Sequence, residues 1–446
     1  MQIVTVVRLV IIVTSVVVVG VRPAYSQGAA PRRPAGGLFG ATRSDVSAAA
    51  DRLNFTFVLA EGFESAVPPD VASRVSRELQ SGGYSTQLAA AWDYARTGKR
   101  LNLASNASTA FKYYQSLDRF DALGHTVGVG ANMRLPNGSV QLNQSAAYSP
   151  SYLYQLFPTD SSPILGESIP INPEYQIVDT ESFVYATTAR LSFGSVRGTQ
   201  FTASGTFSHT DFEQQAFQPL DLDSYHGGVE VARRITSSGR FIAGYDYHSG
   251  EFGLGGLTTE HGVTIGAEWS PALSRTRRAT FRLDVTPTRV ELPASALNVS
   301  SAGQAEVQLN RLSSEASITY PFRPNWQTTA RYRRSVEYLS VLGQPVLSDG
   351  GRLELTGLLA RRIDLSASAG YVSAASALNS AQALVTYTGQ VAIRYAMKRS
   401  LALSADYLYY YYDLSEQAAL APHLAATYEQ HGVRVGVVLF VETLGR

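Results

Sequence analysis

The residues that could do chemistry are few and scattered. Asp246 and His248 sit two apart in an alternating segment, so a carboxylate and an imidazole share one face and could act together in acid–base or nucleophile-activating work. Seven histidines in 446 residues will produce an Asp-x-His by chance, and a solvated ion pair is the default reading. His226, His261 and His431 lack the spacing of metal ligands, and no metal site is expected. The chain has no cysteine, which removes disulfides, thiol nucleophiles and cysteine-bound metal clusters. Gly128/Gly130 and Gly253/Gly255/Gly256 precede no helical pattern, so they read as bulges and turns, not phosphate cradles. The expectation is a protein without a catalytic centre, metal or other cofactor.

What recurs is charge at every second position. Arg190, Arg282, Asp284, Arg331, Arg333, Glu337, Arg352, Glu354, Arg394, Asp406 and Arg434, with Asp246 and Glu268, each lie in a segment whose alternate residues are apolar. In Ala279 to Thr286 one face is Ala279, Phe281, Leu283 and Val285, and the other is Thr280, Arg282, Asp284 and Thr286. Successive strand side chains point to opposite faces, so such segments have one apolar and one polar surface. The whole chain is 45% hydrophobic yet only 16% charged, below the roughly 25% of ordinary soluble domains. Net charge is near zero, Lys99, Lys112 and Lys398 are the sole lysines, and no basic run exists, which argues against nucleic acid as a partner.

At the N-terminus, Met1 to Ser26 has Arg8, an apolar run from Leu9 to Val21 and a small-residue Ala24-Tyr25-Ser26 site, which predicts a secretory signal peptide over residues 1–26. Residues 27–52 are rich in Gly, Ala, Pro and Arg and read as a periplasmic linker. From residue 53 to 446 no stretch suits a membrane helix. About 18 alternating strands (16 to 18) are expected instead, with starts near 53, 84, 100, 122, 138, 182, 199, 224, 240, 260, 277, 303, 326, 351, 364, 380, 400 and 433. Tight turns such as Thr97 to Arg100 and Pro136-Asn137-Gly138 alternate with longer loops. Short periplasmic turns, long extracellular loops and an even strand count predict an all-β, single-chain transmembrane antiparallel barrel in the outer membrane, in contact with outer-membrane lipid and inserted by the barrel assembly machinery. Trp92, Trp269 and Trp326 near the turn end, and Tyr245, Tyr407 and Tyr409, with Tyr247, Tyr338, Tyr371 and Tyr411, near the other, supply the outward aromatic girdles.

That many strands enclose an aqueous lumen lined by the polar faces. Several arginines fall on the eleventh, thirteenth and fourteenth strands. The longest loop, Ser151 to Glu181, carries Asp160, Glu167, Glu174, Asp179 and Glu181, no Lys or Arg, and four prolines. It could fold inward as a constriction facing the arginines. It could equally stand in solvent, with the arginines paired to neighbouring-strand carboxylates such as Asp284 and Glu354. Tyr410 and Tyr412 are candidates for a sugar-stacking surface at the mouth.

The Tyr- and Arg-rich run from Ser317 to Tyr371, together with Leu401 to Tyr412 and the closing VRVGVVLF, resembles the uncharacterised outer-membrane barrels that accompany exopolysaccharide synthesis and export loci of Gram-negative bacteria. The resemblance implies an integral barrel that assists polysaccharide passage, with polysaccharide or export components as partners, and supplies no catalytic residues. One departure is the end of the chain, where Phe440 is followed by Val-Glu-Thr-Leu-Gly-Arg instead of closing it. The functional expectation is a porin-like channel passing polar solutes or assisting exopolysaccharide export. The alternative is a non-conducting barrel that binds polysaccharide or protein through its loops.

Overall fold

The structure, a computed structural model, describes residues 51–66, 81–115, 120–149, 182–194, 198–212, 221–253, 256–274, 277–292, 307–323, 325–339, 344–376, 382–414 and 427–445. The expected signal peptide, most of the expected linker and the Ser151 to Glu181 segment lie outside them. In chain order the strands are β1 (Asp51–Ala66), β2 (Ser81–Thr97), β3 (Leu101–Tyr114), β4 (Phe120–Leu135), β5 (Gly138–Ser149), β6 (Ser182–Gly194), β7 (Thr199–Phe212), β8 (Leu222–Arg234) and β9 (Gly239–Phe252). They continue as β10 (Leu257–Trp269), β11 (Thr280–Leu292), β12 (Val307–Arg323), β13 (Trp326–Leu339), β14 (Gln344–Ala360), β15 (Ile363–Ser376), β16 (Gln382–Ala396), β17 (Leu401–Leu414) and β18 (Thr427–Gly445). Each pairs antiparallel with its chain neighbours, and β1 pairs with both β2 and β18, from Arg52↔Gly445 to Glu64↔Gly432. The result is a closed ring of 18 strands, as the alternation predicts.

Closure removes the free edges of the sheet, so through the body of the ring each strand's backbone groups are held by its two neighbours. The side chains then divide by parity. On β17, Ala402, Ser404, Asp406, Leu408, Tyr410, Tyr412 and Leu414 are buried on the inner face while Leu403 and Tyr407 are exposed on the outer one. On β10 the outer residues Val263, Ile265 and Trp269 are each more than half exposed in the absence of lipid. A belt of apolar side chains on the outside of a ring is stable only against hydrocarbon.

At the end that carries β1's start and β18's finish the connections are tight. Gly98 N–H donates to Leu101 O at 3.0 Å, Ile235 N–H to Gly239 O at 3.0 Å and Met397 N–H to Leu401 O at 3.0 Å. Gly194 has φ +107°, and a Cβ there would meet Thr199 O at 2.2 Å, so the turn after β6 requires glycine. Two strands begin earlier than the sequence suggests: β14 at Gln344 instead of near 351, and β18 at Thr427 instead of near 433. Their first residues, Gln344 to Gly350 and Thr427 to Gly432, are mostly polar or Gly and lack the apolar alternation because that alternation is imposed by lipid. The strands outrun it.

The inner and outer faces answer oppositely to charge. Ile265→Arg is expected to lower folding free energy in phospholipid vesicles by about 2 to 4 kcal/mol. Thr264→Arg, one residue away and facing the lumen beside Asp246, should change it by less than about 1 kcal/mol. Urea titration of the vesicle-inserted barrel distinguishes the two faces.

Candidate functional site

The polar faces of the strands meet inside the ring. Three arginines pair across neighbouring strands: Arg394 with Asp364 at 3.1 Å, Arg434 with Asp406 at 2.9 Å, and Arg240 with Glu268 at 2.6 Å. Arg434 also donates to Gln87 Oε1 at 2.6 Å, reaching past the β18–β1 seam to β2. Others pair along their own strand: Arg282 with Asp284 at 2.5 Å, Arg352 with Glu354 at 2.8 Å and Arg333 with Glu337 at 3.0 Å. Asp284 and Glu354 therefore serve their own strands, because residues two apart stand on one face about 7 Å from each other, within the reach of an arginine. Arg282 further reaches Glu230 on β8 at 3.1 Å. Arg190 shares the inner face of β6, between Gln141 on β5 and Ser204 on β7.

Arg331 is different. It is exposed to the lumen, has no carboxylate partner among the described residues, and its register partner on β14 is Arg352. Glu354 holds the Arg352 guanidinium, so the Arg331 charge is left as local positive charge on the wall. Where carboxylates line the wall, small neighbours let them lie flat. A Cβ at Gly266 would fall 1.8 Å from Asp284 Oδ1, its register partner, so the glycine leaves the notch that the carboxylate occupies. Just outside β8, Asp221 accepts the Phe212 N–H at 3.0 Å, while desolvation, with the Asp211 and Asp223 charges adding to it, holds its carboxyl above the ordinary value.

The main surprise is where β13 goes. It pairs with β12 from Arg323↔Trp326 to Ser314↔Arg334 and then continues with β14 alone, to Leu339↔Gln344. By parity Tyr338 should join the outward girdle. Instead it is 9% exposed, its ring 4.4 Å from that of His248, with Leu222 and Phe252 beside it. A Cβ at Gly250 would lie 2.3 Å from Tyr338 Cδ1. Val336 likewise packs on Val290 and Leu292, which belong to the inner face of β11. Once free of β12, the extracellular end of the β13–β14 hairpin turns into the barrel and covers the inner wall of β8 to β11. The sequence held a signal for this: Val336, Tyr338 and Leu339 are too apolar for a strand end that stands in water.

Tyr410 and Tyr412 are fully buried, edge to face at 6.1 Å, so they offer no stacking platform at the mouth. Glu64, Lys112, Tyr114 and Gln430 form a buried polar cluster close to the β18–β1 seam, with Lys112 ion-paired to Glu64 and Gln430 donating to Glu64 at 3.1 Å. Asp160, Glu167, Glu174 and Asp179 lie outside the described residues.

On the outer face Trp92, Trp269 and Trp326 stand near the tight-turn end, with Trp269 stacked on Phe281 at 5.3 Å. Near the other end Tyr245 bonds His261 at 2.7 Å, and Tyr407 bonds His431 at 2.9 Å beside Tyr409. Rings thus stand on the outer face both beside the tight turns and further along the strands, the kind of side chain that suits headgroup depth. The protein is an integral outer-membrane barrel. No protein-family model matches the sequence, and no curated protein does. Among solved structures it is similar to OccK2 (OpdF) of Pseudomonas aeruginosa in complex with glucuronate, at 9% identity over 88% of this chain and 98% of that one, TM-score 0.43. It is also similar to OccAB3 of Acinetobacter baumannii, at 8% identity over 89% of this chain and 100% of that one, TM-score 0.42. A third is the ferric-catecholate import receptor Fiu of E. coli K12, at 8% over 88% and 81%, TM-score 0.41. The membrane assignment rests on the barrel's own closure and outer face.

The paired and unpaired arginines should separate in stability. Arg434→Ala strands Asp406, 9% exposed at its side chain, and should cost about 3 kcal/mol. Arg331→Ala should stay within about 0.5 kcal/mol. Urea unfolding in detergent or vesicles reads both.

Proposed function

We propose that the protein is a porin-like channel for small polar solutes, favouring anions, and that the inturned β13–β14 hairpin narrows its lumen. A ring of this strand number encloses space for water once side chains are placed. The observation that carries the reading is Arg331: beside an Arg352 already held by Glu354, its charge has no carboxylate partner among the described residues and is left open to the lumen where a carboxylate or phosphate could bind it. Arg240, Arg282, Arg333, Arg352, Arg394 and Arg434, each tied to a carboxylate, shape the wall without adding net charge. Insertion by the barrel assembly machinery and residence among outer-membrane lipid accompany this reading.

Assistance to exopolysaccharide export, the finer expectation, loses support from the burial of Tyr410 and Tyr412, since a long glycan needs exposed aromatic faces to slide along. The rival is a silent barrel whose loops bind partners at the surface.

Planar-bilayer recording tests the channel. The wild type should conduct, Tyr338→Ala should raise conductance by freeing the hairpin, and Gly250→Leu should do the same by filling the hairpin's seat. Arg331→Glu should move the reversal potential in a salt gradient toward cation preference. A folded barrel that stays silent in the wild type and in both hairpin variants removes the channel reading.

A further inference from the structure

Three inner-face side chains on consecutive strands stand in an arrangement the channel does not need. Ser224 Oγ on β8 lies 2.9 Å from His248 Nε2 on β9, and the other ring nitrogen, Nδ1, faces Glu260 Oε2 on β10 at 3.7 Å. The sheet ladder fixes this placement: His248 and Glu260 are register partners, and Ser224 is the partner of Gly250, two residues along from His248. Hydroxyl, imidazole and carboxylate are aligned through the two nitrogens of one ring, the order required for a base to take a proton from a nucleophile while a carboxylate orients it. The Nδ1 to Oε2 gap is longer than a hydrogen bond, as such contacts often are before a substrate is bound.

The surroundings add what a plain polar ladder lacks. Tyr338, brought by the inturned hairpin, sets its ring edge-on to His248 and over Gly250, and its hydroxyl is buried with no hydrogen-bond partner among the described residues. A buried, unpaired O–H is costly unless something else uses it, and a developing oxyanion is such a user. Leu222 and Phe252, register partners one step further along, make an apolar patch next to Ser224. The neighbouring inner-face positions His226, Asp246 and Thr264 are polar. Acyl group against the patch and alcohol portion in the wet lumen is the division a carboxylic ester would fit.

We propose that Ser224, His248 and Glu260 hydrolyse a short-chain carboxylic ester of a polar alcohol inside the barrel. Ser224 Oγ bonds to the carbonyl carbon as its proton passes to His248 Nε2. The ester C–O bond then breaks, and the alcohol leaves with that proton. Water attacks the acyl-serine, giving one proton back through His248 to Ser224 Oγ, and the carboxylic acid departs. Ester and water become acid and alcohol, with no redox change. Ser224 and His248 are the catalytic residues; Glu260 is a positioning residue, and Tyr338 donates to the oxyanion. None of this depends on whether the pore conducts.

The test uses the full-length barrel in detergent micelles, each variant checked for strand content by circular dichroism, with a fluorophosphonate probe and p-nitrophenyl acetate and butyrate. Peptide mass spectrometry should place the probe on Ser224, and Ser224→Ala and His248→Ala should abolish labelling. Glu260→Gln should slow hydrolysis by about 10²- to 10⁴-fold, with Glu260→Asp recovering part of it, a rescue that a purely structural carboxylate would not show. Tyr338→Phe, which keeps the ring in its seat, should slow hydrolysis by about 10²-fold. Labelling of Ser224 in Tyr338→Ala alone would place the site beneath the hairpin and still support it. A folded wild type and a folded Tyr338→Ala that both stay unlabelled and inactive overturn the proposal, as does labelling undiminished in Ser224→Ala.

Discussion

Everything in this molecule follows from one requirement: no backbone N–H or C=O may face hydrocarbon unpaired. A chain with no long apolar helix among its described residues meets that requirement by closing a sheet on itself, and the β1–β18 ladder from Arg52↔Gly445 to Glu64↔Gly432 is the last piece of the ring. Closure turns the period-two alternation into geometry. Alternate positions along each strand become outside and inside, and the two obey opposite rules. The outside must be apolar with rings at its margins. The inside, shielded from lipid, is the only place where charge can be held at membrane depth, which is why the arginines and carboxylates sit there.

The same closure explains how those charges are arranged. A wall of strands holds inner side chains at fixed spacings, so an arginine finds a carboxylate across one ladder, as Arg394 does with Asp364, or along its own strand, as Arg352 does with Glu354 and Arg333 with Glu337. Glycines such as Gly266 keep the wall thin where a carboxylate lies down on it. Arg331 escapes this pattern because its position opposite Arg352 offers it no acid. Stability gives no reason to keep such a residue; on the proposed reading, passage of anions does.

The strands were legible in the sequence because lipid writes the same alternation into every one of them. Strand ends were less so: Gln344 to Gly350 and Thr427 to Gly432 extend past the lipid and lose the signal. The lining arginines were legible as a face, but their partners were not, since pairing depends on register and on side-chain reach. Tyr338 shows the limit of parity. Alternation puts it outside, yet parity holds only while a strand is paired on both sides, and β13 leaves β12 after Arg334. Ser224, His248 and Glu260 are spread over 37 residues of sequence with nothing to link them; the β8–β9 and β9–β10 registers bring them together.

Rigid strands suit such groups better than loops do, because a catalytic hydroxyl displaced by about 1 Å loses much of its advantage. On the proposed readings, the inturned hairpin then has two effects that cannot be separated. Tyr338 takes up lumen space, and the same ring rests on His248. Whatever lifts the hairpin to widen the pore also withdraws the donor hydroxyl and uncovers Ser224. Whatever seats it narrows the pore and completes the set. A solute able to seat the hairpin by its own contacts would therefore be held where the serine can reach it, and one that pushes the hairpin aside would pass unaltered. Passage and hydrolysis would be alternative fates at one wall, decided by how the solute meets a single tyrosine.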